Sequence, residues 1–175
     1  MKHRVIHTAP FRVRQAQPRD VPALMRLKRK LAKGENSLHA LSASEDDWRR
    51  DGFGPRAGFI AYVAECGGGI VGMATCSQRV VTGWNGPVVF LQDLFVEVGH
   101  RHRGIARALV ARVAALAREL GSPIVELTMR ADNPAQAFYQ RTGFMPLPQC
   151  LTYILAGPAL AALAGHDKGS LALAG

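Results

Sequence analysis

Arg101-His102-Arg103-Gly104-Ile105-Ala106 is the segment whose residue types and spacing point most directly to chemistry. It lies between a strongly apolar run at residues 88–97 and a helical pattern over about residues 104–120. The first backbone N–H groups of a helix have no partner inside it. They point outward together with the positive end of the helix dipole, which suits a phosphate. Gly104 allows close backbone approach, Ala106 keeps the next turn small, and Arg101, Arg103 and Arg107 add positive charge at the same end. Neither the Gly-x-x-x-x-Gly-Lys nor the Gly-x-Gly-x-x-Gly spacing is present. A plain strand-to-helix turn with exposed arginines would carry the same six residues, so the pattern must be read with its surroundings.

Those surroundings are a chain of 175 residues, the size of one domain. An apolar fraction of 48% and a charged fraction of 20% predict a globular fold. The net charge of +9 favours polyanionic partners: nucleic acid, an anionic membrane or a phosphate-rich cofactor. Cys66, Cys76 and Cys150 show no C-x-x-C spacing and no histidine cluster beside them, so neither zinc nor a disulfide framework is expected. No metal site is expected. The N-terminus lacks the apolar run of a signal peptide, and the apolar C-terminal stretch is broken by Gly157, Pro158, Gly165, His166 and Asp167. A cytoplasmic protein with no membrane partner is the expectation.

The elements that must position the loop read as follows. Residues 11–15 form a first strand. Asp20 and Pro22 open a helix whose apolar stripe is Val21, Leu24, Met25, Leu27 and Leu31, with Lys28, Arg29 and Lys30 toward solvent. Ser44 caps a short helix over residues 44–50. Residues 58–65 and 70–77 are strands joined by Gly67-Gly68-Gly69, which supports a hairpin turn. Residues 88–97 are a strand. The following helix buries Ile105, Leu109, Val113, Leu116 and Leu120 and stops at Gly121-Ser122-Pro123. A strand at residues 124–129, a short helix at 134–142 and a last strand at 151–155 complete the order β-α-α-β-β-β-α-β-α-β. Early antiparallel strands give way to strand–helix–strand units that need parallel pairing.

Leu94-Phe95-Val96, then Arg101-His102-Arg103-Gly104-Ile105-Ala106, then Asn133-Pro134-Ala135-Gln136-Ala137-Phe138-Tyr139 and Gly143-Phe144 together resemble the GNAT superfamily of N-acetyltransferases. Arg101, Gly104 and Ala106 match its [QR]-x-x-G-x-[GA] motif; His102 stands where many members carry glycine. The likeness runs from Val13 to about Leu163. Within the superfamily, Leu31-Ala32-Lys33-Gly34-Glu35, Asp51-Gly52-Phe53-Gly54, Val63-Ala64-Glu65 and Leu91-Gln92-Asp93 resemble the spermidine/spermine and thialysine acetyltransferase branch.

The resemblance implies an α/β fold: a mixed, mostly antiparallel central sheet with a splayed parallel pair and helices on both faces. It implies a single acetyltransferase domain over residues 1–175, with its core at about 11–164 and a flexible tail at 165–175. Acetyl-CoA would be the cosubstrate, held by Leu94, Phe95, Val96, Arg101, His102, Arg103, Gly104, Ile105, Ala106, Arg107 and Asn133. The pantetheine arm would pair with the backbone of residues 94–96, and Val96 N–H would stabilise the developing oxyanion. Tyr139 matches the tyrosine that donates a proton to the departing thiolate; thiol and phenol pKa values are close enough for this. Asn133 would also cap the helix it precedes.

Glu35, Gln92 and Trp84 are the acceptor-side candidates. The polyamine branch has a glutamate where this chain has Gln92, and an amide cannot act as a general base. The expected reaction is direct acetylation of a small-molecule primary amine, such as a polyamine or lysine analogue, by a homodimer. A protein or peptide amine is the alternative acceptor. Two readings of another class are a basic nucleic-acid-binding protein, which lacks a recognition motif here, and an acyl-CoA sensor without turnover. The +9 charge opposes a polycationic substrate unless an acidic pocket around Glu35, Glu65 or Glu126 offsets it.

Overall fold

A computed structural model describes residues 10–83, 85–150 and 152–165. The chain divides into two compact units, one up to Asp132 and one from Asn133. In the first, five strands stand in sequence order: β1 (Phe11–Gln15), β2 (Ile60–Cys66), β3 (Gly69–Val80), β4 (Pro87–Val96) and β5 (Val125–Glu126). The first three pairings are antiparallel and the last is parallel. Cys66 pairs with Gly69, so Gly67 and Gly68 alone make the hairpin turn, at φ +59° and +79°. Two consecutive positive φ values match the right-handed twist of the strands they join.

Helices α1 (Val21–Gly34) and α2 (Glu45–Phe53) cover one face of the sheet. Leu24, Met25 and Leu27 of α1 and Trp48 of α2 pack with Ala61, Val63, Met73 and Phe95. Ser44 caps α2 with a reciprocal box: its hydroxyl accepts from Asp47 N–H and its own N–H donates to Asp47 Oδ2. The other face carries α3 (Ile105–Glu119), with Ile105, Leu109 and Val113 fully buried. α3 lies so close to β3 that a Cβ on Gly72 would stand 3.2 Å from Ile105 Cγ2 and 3.3 Å from Leu109 Cδ1. The mixed, mostly antiparallel sheet with helices on both faces is the expected architecture.

Three expectations are corrected. Asp20 does not cap α1 through its side chain. Its carboxylate accepts from Arg14 Nη1 and Nη2, at 2.6 and 3.0 Å, and from Gln17 N–H at 2.7 Å. It thus closes the short turn before α1, and a buried carboxylate beside a guanidinium gains more there than at an exposed helix start. The strand expected at 124–129 is only the two residues of β5, because past the Phe90–Glu126 rung β5 leaves β4 and an apolar run alone cannot hold a ladder. Residues 152–156 are exposed and form no strand; helix α5 (Gly157–Gly165) follows them. Leu151 and residues 166–175 lie outside the described residues.

The second unit holds α4 (Gln136–Arg141) and α5. The N-cap position of α4 is Ala135, so Asn133 does not form the expected cap; its Oδ1 accepts from Ala135 N–H at 2.9 Å and closes the turn that leads into α4. Gly143 ends that segment at φ +100°. Among the described residues no helix is long and apolar enough to cross a membrane.

Candidate active site

The site builds on the C-terminal half of β4. Val96 faces Gly72 across the ladder, and Glu97 N–H donates to Val71 O at 2.9 Å. That bond makes Val96–Gly72 a non-hydrogen-bonded pair, so the N–H and C=O of Val96 point away from β3. Two residues earlier the same holds for Leu94 opposite Ala74. On that side, among the described residues, β5 pairs only with Val89 and Phe90. Leu94 and Val96 therefore aim backbone groups into the gap where the parallel pair splays.

Gln92 is an extra residue in β4. Thr75 pairs with Asp93 and Cys76 with Leu91, which leaves Gln92 as a bulge. Gln92 is exposed between buried Leu91 and Asp93. Asp93, 9% exposed, accepts from Thr75 Oγ1 at 2.8 Å and pairs with Lys28 Nζ of α1 at 2.5 Å. Four residues on, Glu97 is gripped by Lys30 at 2.6 Å and by Arg26. Lys30 first, then Arg26, hold the Glu97 carboxyl below the ordinary carboxylate range, against the opposing effect of burial. α1 is thus tied by three cations to both ends of the candidate edge.

After a turn at Val98–His100 the chain enters the basic loop. Arg101 Nε donates to Val96 O at 3.0 Å, and its guanidinium carbon stands 5.8 Å from the Phe95 ring centre. This contact joins the loop to the strand edge. His102 takes φ +59° and Gly104 φ +81°. The left-handed conformation at His102 explains why glycine suits that position. A Cβ at Gly104 would meet nothing within 4 Å, so its φ, rather than clearance, is what requires glycine. The first helical bond runs from Ala108 N–H to Gly104 O, and the N–H groups of Ile105, Ala106 and Arg107 precede it. Arg101, His102 and Arg107 are exposed around them, and Arg103 is half-buried with Nη2 at 3.7 Å from Cys66 Sγ. This is a cationic helix start that can bind a polyanion.

The other sequence candidates are not all gathered here. Glu35 is exposed at the end of α1, where its N–H donates to Leu31 O. Among the described residues, no hydrogen bond or ion pair links it to Gln92. Trp84 lies outside the described residues. Glu65 pairs with Arg14, and Glu126 pairs with Arg79, so neither is a free carboxylate. In the second unit, Tyr139 is half-buried on α4 between the rings of Phe138 and Phe144, at 5.3 and 5.5 Å. Sequence reasoning left Lys28 and Lys30 to solvent and missed their ties to β4. The available signal was Asp93 itself: an acid inside a buried apolar strand requires a basic partner.

A model of the acetyltransferase (GNAT) family matches residues 23–144, which include β4, the basic loop, α3 and Tyr139. The chain belongs to the GNAT acetyltransferase family. As a GNAT protein it is an acetyl-CoA-dependent N-acetyltransferase. It is 30% identical over 170 residues to a thialysine N-epsilon-acetyltransferase of Mus musculus, an alignment covering 90% of this chain and 99% of the relative. Among solved structures it is similar to an aminoglycoside acetyltransferase from an uncultured soil metagenomic sample, in complex with sisomicin. That match has a TM-score of 0.71 at 18% identity and covers 83% of this chain and 95% of the other. It is also similar to an aminoglycoside N-acetyltransferase in complex with CoA. Here the TM-score is 0.67 at 23% identity, covering 86% of this chain and 97% of the other. These two likenesses bear on the fold, and the splayed β4–β5 pair is part of this GNAT sheet.

Proposed function

We propose that this GNAT protein transfers acetyl from acetyl-CoA directly to a primary amine of a small molecule, of the polyamine or lysine-analogue kind. The observation that carries this reading is the open edge of β4, joined by Arg101 to the cationic start of α3. The residues present fit the cosubstrate. The N–H groups of Ile105, Ala106 and Arg107, with Arg101, His102 and Arg103 around them and Gly104 setting the turn, suit its pyrophosphate. The backbone of Leu94, Phe95 and Val96 suits the amide-bearing pantetheine arm, which would add to the edge as a strand does. Acetyl-CoA supplies an acetyl group already activated as a thioester.

The chain's residues then have four tasks. Val96 N–H, fixed by the ladder, donates to the acyl oxygen as charge grows there when the amine attacks. The attacking amine loses its proton to water, and Tyr139 gives a proton to the sulfur as the carbon–sulfur bond breaks, the phenol being restored from solvent. Its ring is fixed between two aromatic neighbours, which suits a donor that must keep one orientation. Asn133 serves as a cosubstrate contact as well as closing the turn before α4. On the acceptor side, Gln92 at the bulge, Glu35 and Trp84 orient the amine. The chain acts as a homodimer, supported by the exposed apolar side chains of Tyr153, Ile154 and Leu155.

The test is free-thiol release from acetyl-CoA with polyamines, lysine analogues, aminoglycosides and peptides. Turnover with a small amine and a fall of about 10²-fold or more in kcat for Tyr139→Phe is expected. Tight acetyl-CoA binding with no turnover on any acceptor would instead make the protein a sensor.

A further inference from the structure

Three side chains stand together on the α1 face of the sheet where β4 and β5 begin to part. Residues 73, 75, 77 and 79 of β3 share one face by the period of a strand, and Met73 packs under α1, so Arg79 emerges on that side. Phe90 pairs with Ser77 on one flank and with Glu126 on the other, which puts all three on the same face. The guanidinium carbon of Arg79 lies 5.3 Å from the Phe90 ring centre, and its Nη2 pairs with Glu126 Oε1. The Arg79 side chain is 54% exposed and that of Glu126 is 32% exposed. Arg79 is therefore exposed and Glu126 half-buried, so a ligand arriving from solvent can reach both. The Phe90–Glu126 rung is the last one before the gap that Leu94 and Val96 face.

We propose that Arg79, Glu126 and Phe90 form the head-group subsite for the acceptor, and that it recognises an α-amino-carboxylate. The inference rests on the amine-acetylation reading given above. A guanidinium has five N–H donors in a planar fork, more than one contact to Glu126 can engage, and a carboxylate ligand matches the fork's geometry. An α-ammonium matches Glu126. A zwitterionic head group would thus exchange one protein ion pair for two ligand ion pairs, with the Phe90 ring fixing the plane of the fork. The reacting amine must then lie at the far end of an arm. Because Gln92 is bulged, Phe90 and Leu94 are spaced as their partners Ser77 and Ala74 are, three residues of β3, or roughly 10 Å at about 3.3 Å per residue. A side chain of lysine length, added to the reach of Arg79, spans that distance.

The neighbouring charges agree with this class. A polyamine needs several free carboxylates, but Gln92 is an amide, Asp93 is neutralised by Lys28 and Glu126 by Arg79. An amine that carries its own carboxylate avoids the mismatch with a protein of net charge +9.

The experiment compares thialysine and L-lysine with their decarboxylated diamines, by thiol release, in the intact protein and in Arg79→Gln, Arg79→Lys and Glu126→Gln. The expected wild-type preference in kcat/KM is at least tenfold for the carboxylate-bearing member of each pair. Arg79→Gln should collapse that ratio, mainly through the KM of the amino acids, with the KM of acetyl-CoA as the internal control. Arg79→Lys should restore part of the preference, because it keeps the charge and loses the fork. A structural staple would instead lower both members of a pair alike and leave the ratio intact, which overturns the proposal, as does a wild-type preference for the diamines. Absence of turnover with every amine overturns the amine reading itself, and this subsite with it.

Discussion

Lys28→Met breaks the ion pair that ties α1 to β4 beside the bulge while keeping most of the apolar stem. Lys28 Nζ and Asp93 Oδ1 are 2.5 Å apart, and the two side chains are 26% and 10% exposed. Their gross attraction at an effective dielectric of 20 is about 6–7 kcal/mol. Most of that offsets desolvation of the two charges, so the net worth of the pair is far smaller than the attraction. Removing the lysine nevertheless leaves Asp93 buried with Thr75 as its one remaining polar partner in this network. Complete burial would put the loss at about 3–5 kcal/mol; the partial access of water beside Lys28 reduces it to about 2–3 kcal/mol. For a chain of this size that is a fall in Tm of roughly 5–10 °C. Asp93→Asn keeps an acceptor for Thr75 and leaves a lysine that can turn to water, so it should cost about 1 kcal/mol. In the double variant the buried charge is gone, and the loss should be close to that of Asp93→Asn alone. Urea denaturation of the four proteins at pH 7 reads the coupling directly, expected to be at least about 1.5 kcal/mol. Additive losses, or a Lys28→Met protein as stable as wild type, would show that the pair does not hold α1 to the strand.

Further outcomes follow from other sites. Gly104→Ala forces a left-handed conformation on a residue with a Cβ, and should lower stability by about 1–2 kcal/mol and raise the KM of acetyl-CoA roughly tenfold; an unchanged KM would separate the turn from cosubstrate binding. Arg14 above all holds the Asp20 carboxyl below its ordinary range. The stability this adds is present above the ordinary carboxylate pKa and lost as pH falls through the lower folded value. Asp20→Asn should therefore cost about 2 kcal/mol at pH 7, and its deficit in urea titrations should narrow below about pH 4. Burial pushes the Cys76 thiol up to about 11, and Cys150 is exposed. Iodoacetamide at pH 7.5 should label Cys150 in the native protein and reach Cys76 only on unfolding, as mass spectrometry of timed digests would show.

Much of the scaffold was legible in the sequence where the signals are local. The periodic stripes of α1 and α3, the Ser44 cap and the glycine hairpin each depend on residues a few positions apart. The basic loop was legible for the same reason, since a helix start next to glycine and arginines is a local object. What escaped depends on partners far along the chain. The bulge at Gln92 exists only in the register of β4 against β3; the open edge of Leu94 and Val96 is implied by the family resemblance, and the residues of β4 alone do not reveal it, because it exists only where β5 leaves early. The Lys28–Asp93 pair spans two elements, as do the Arg26 and Lys30 contacts to Glu97, so the helical stripe by itself turns Lys28 and Lys30 toward solvent. Residues 151–155 read as a last strand, but Thr152 to Leu155 have no ladder. A strand is a property of a pair, which the sequence of one segment does not contain.

Acetyl-CoA is proposed to bind across the open edge of β4 and the start of α3. Backbone amide NMR with acetyl-CoA added to saturation tests it most directly. Large, saturable shifts are expected at Leu94, Val96, Ile105, Ala106 and Arg107, with far smaller ones at the β1–β2 edge. Binding that leaves those five amides unmoved would contradict it.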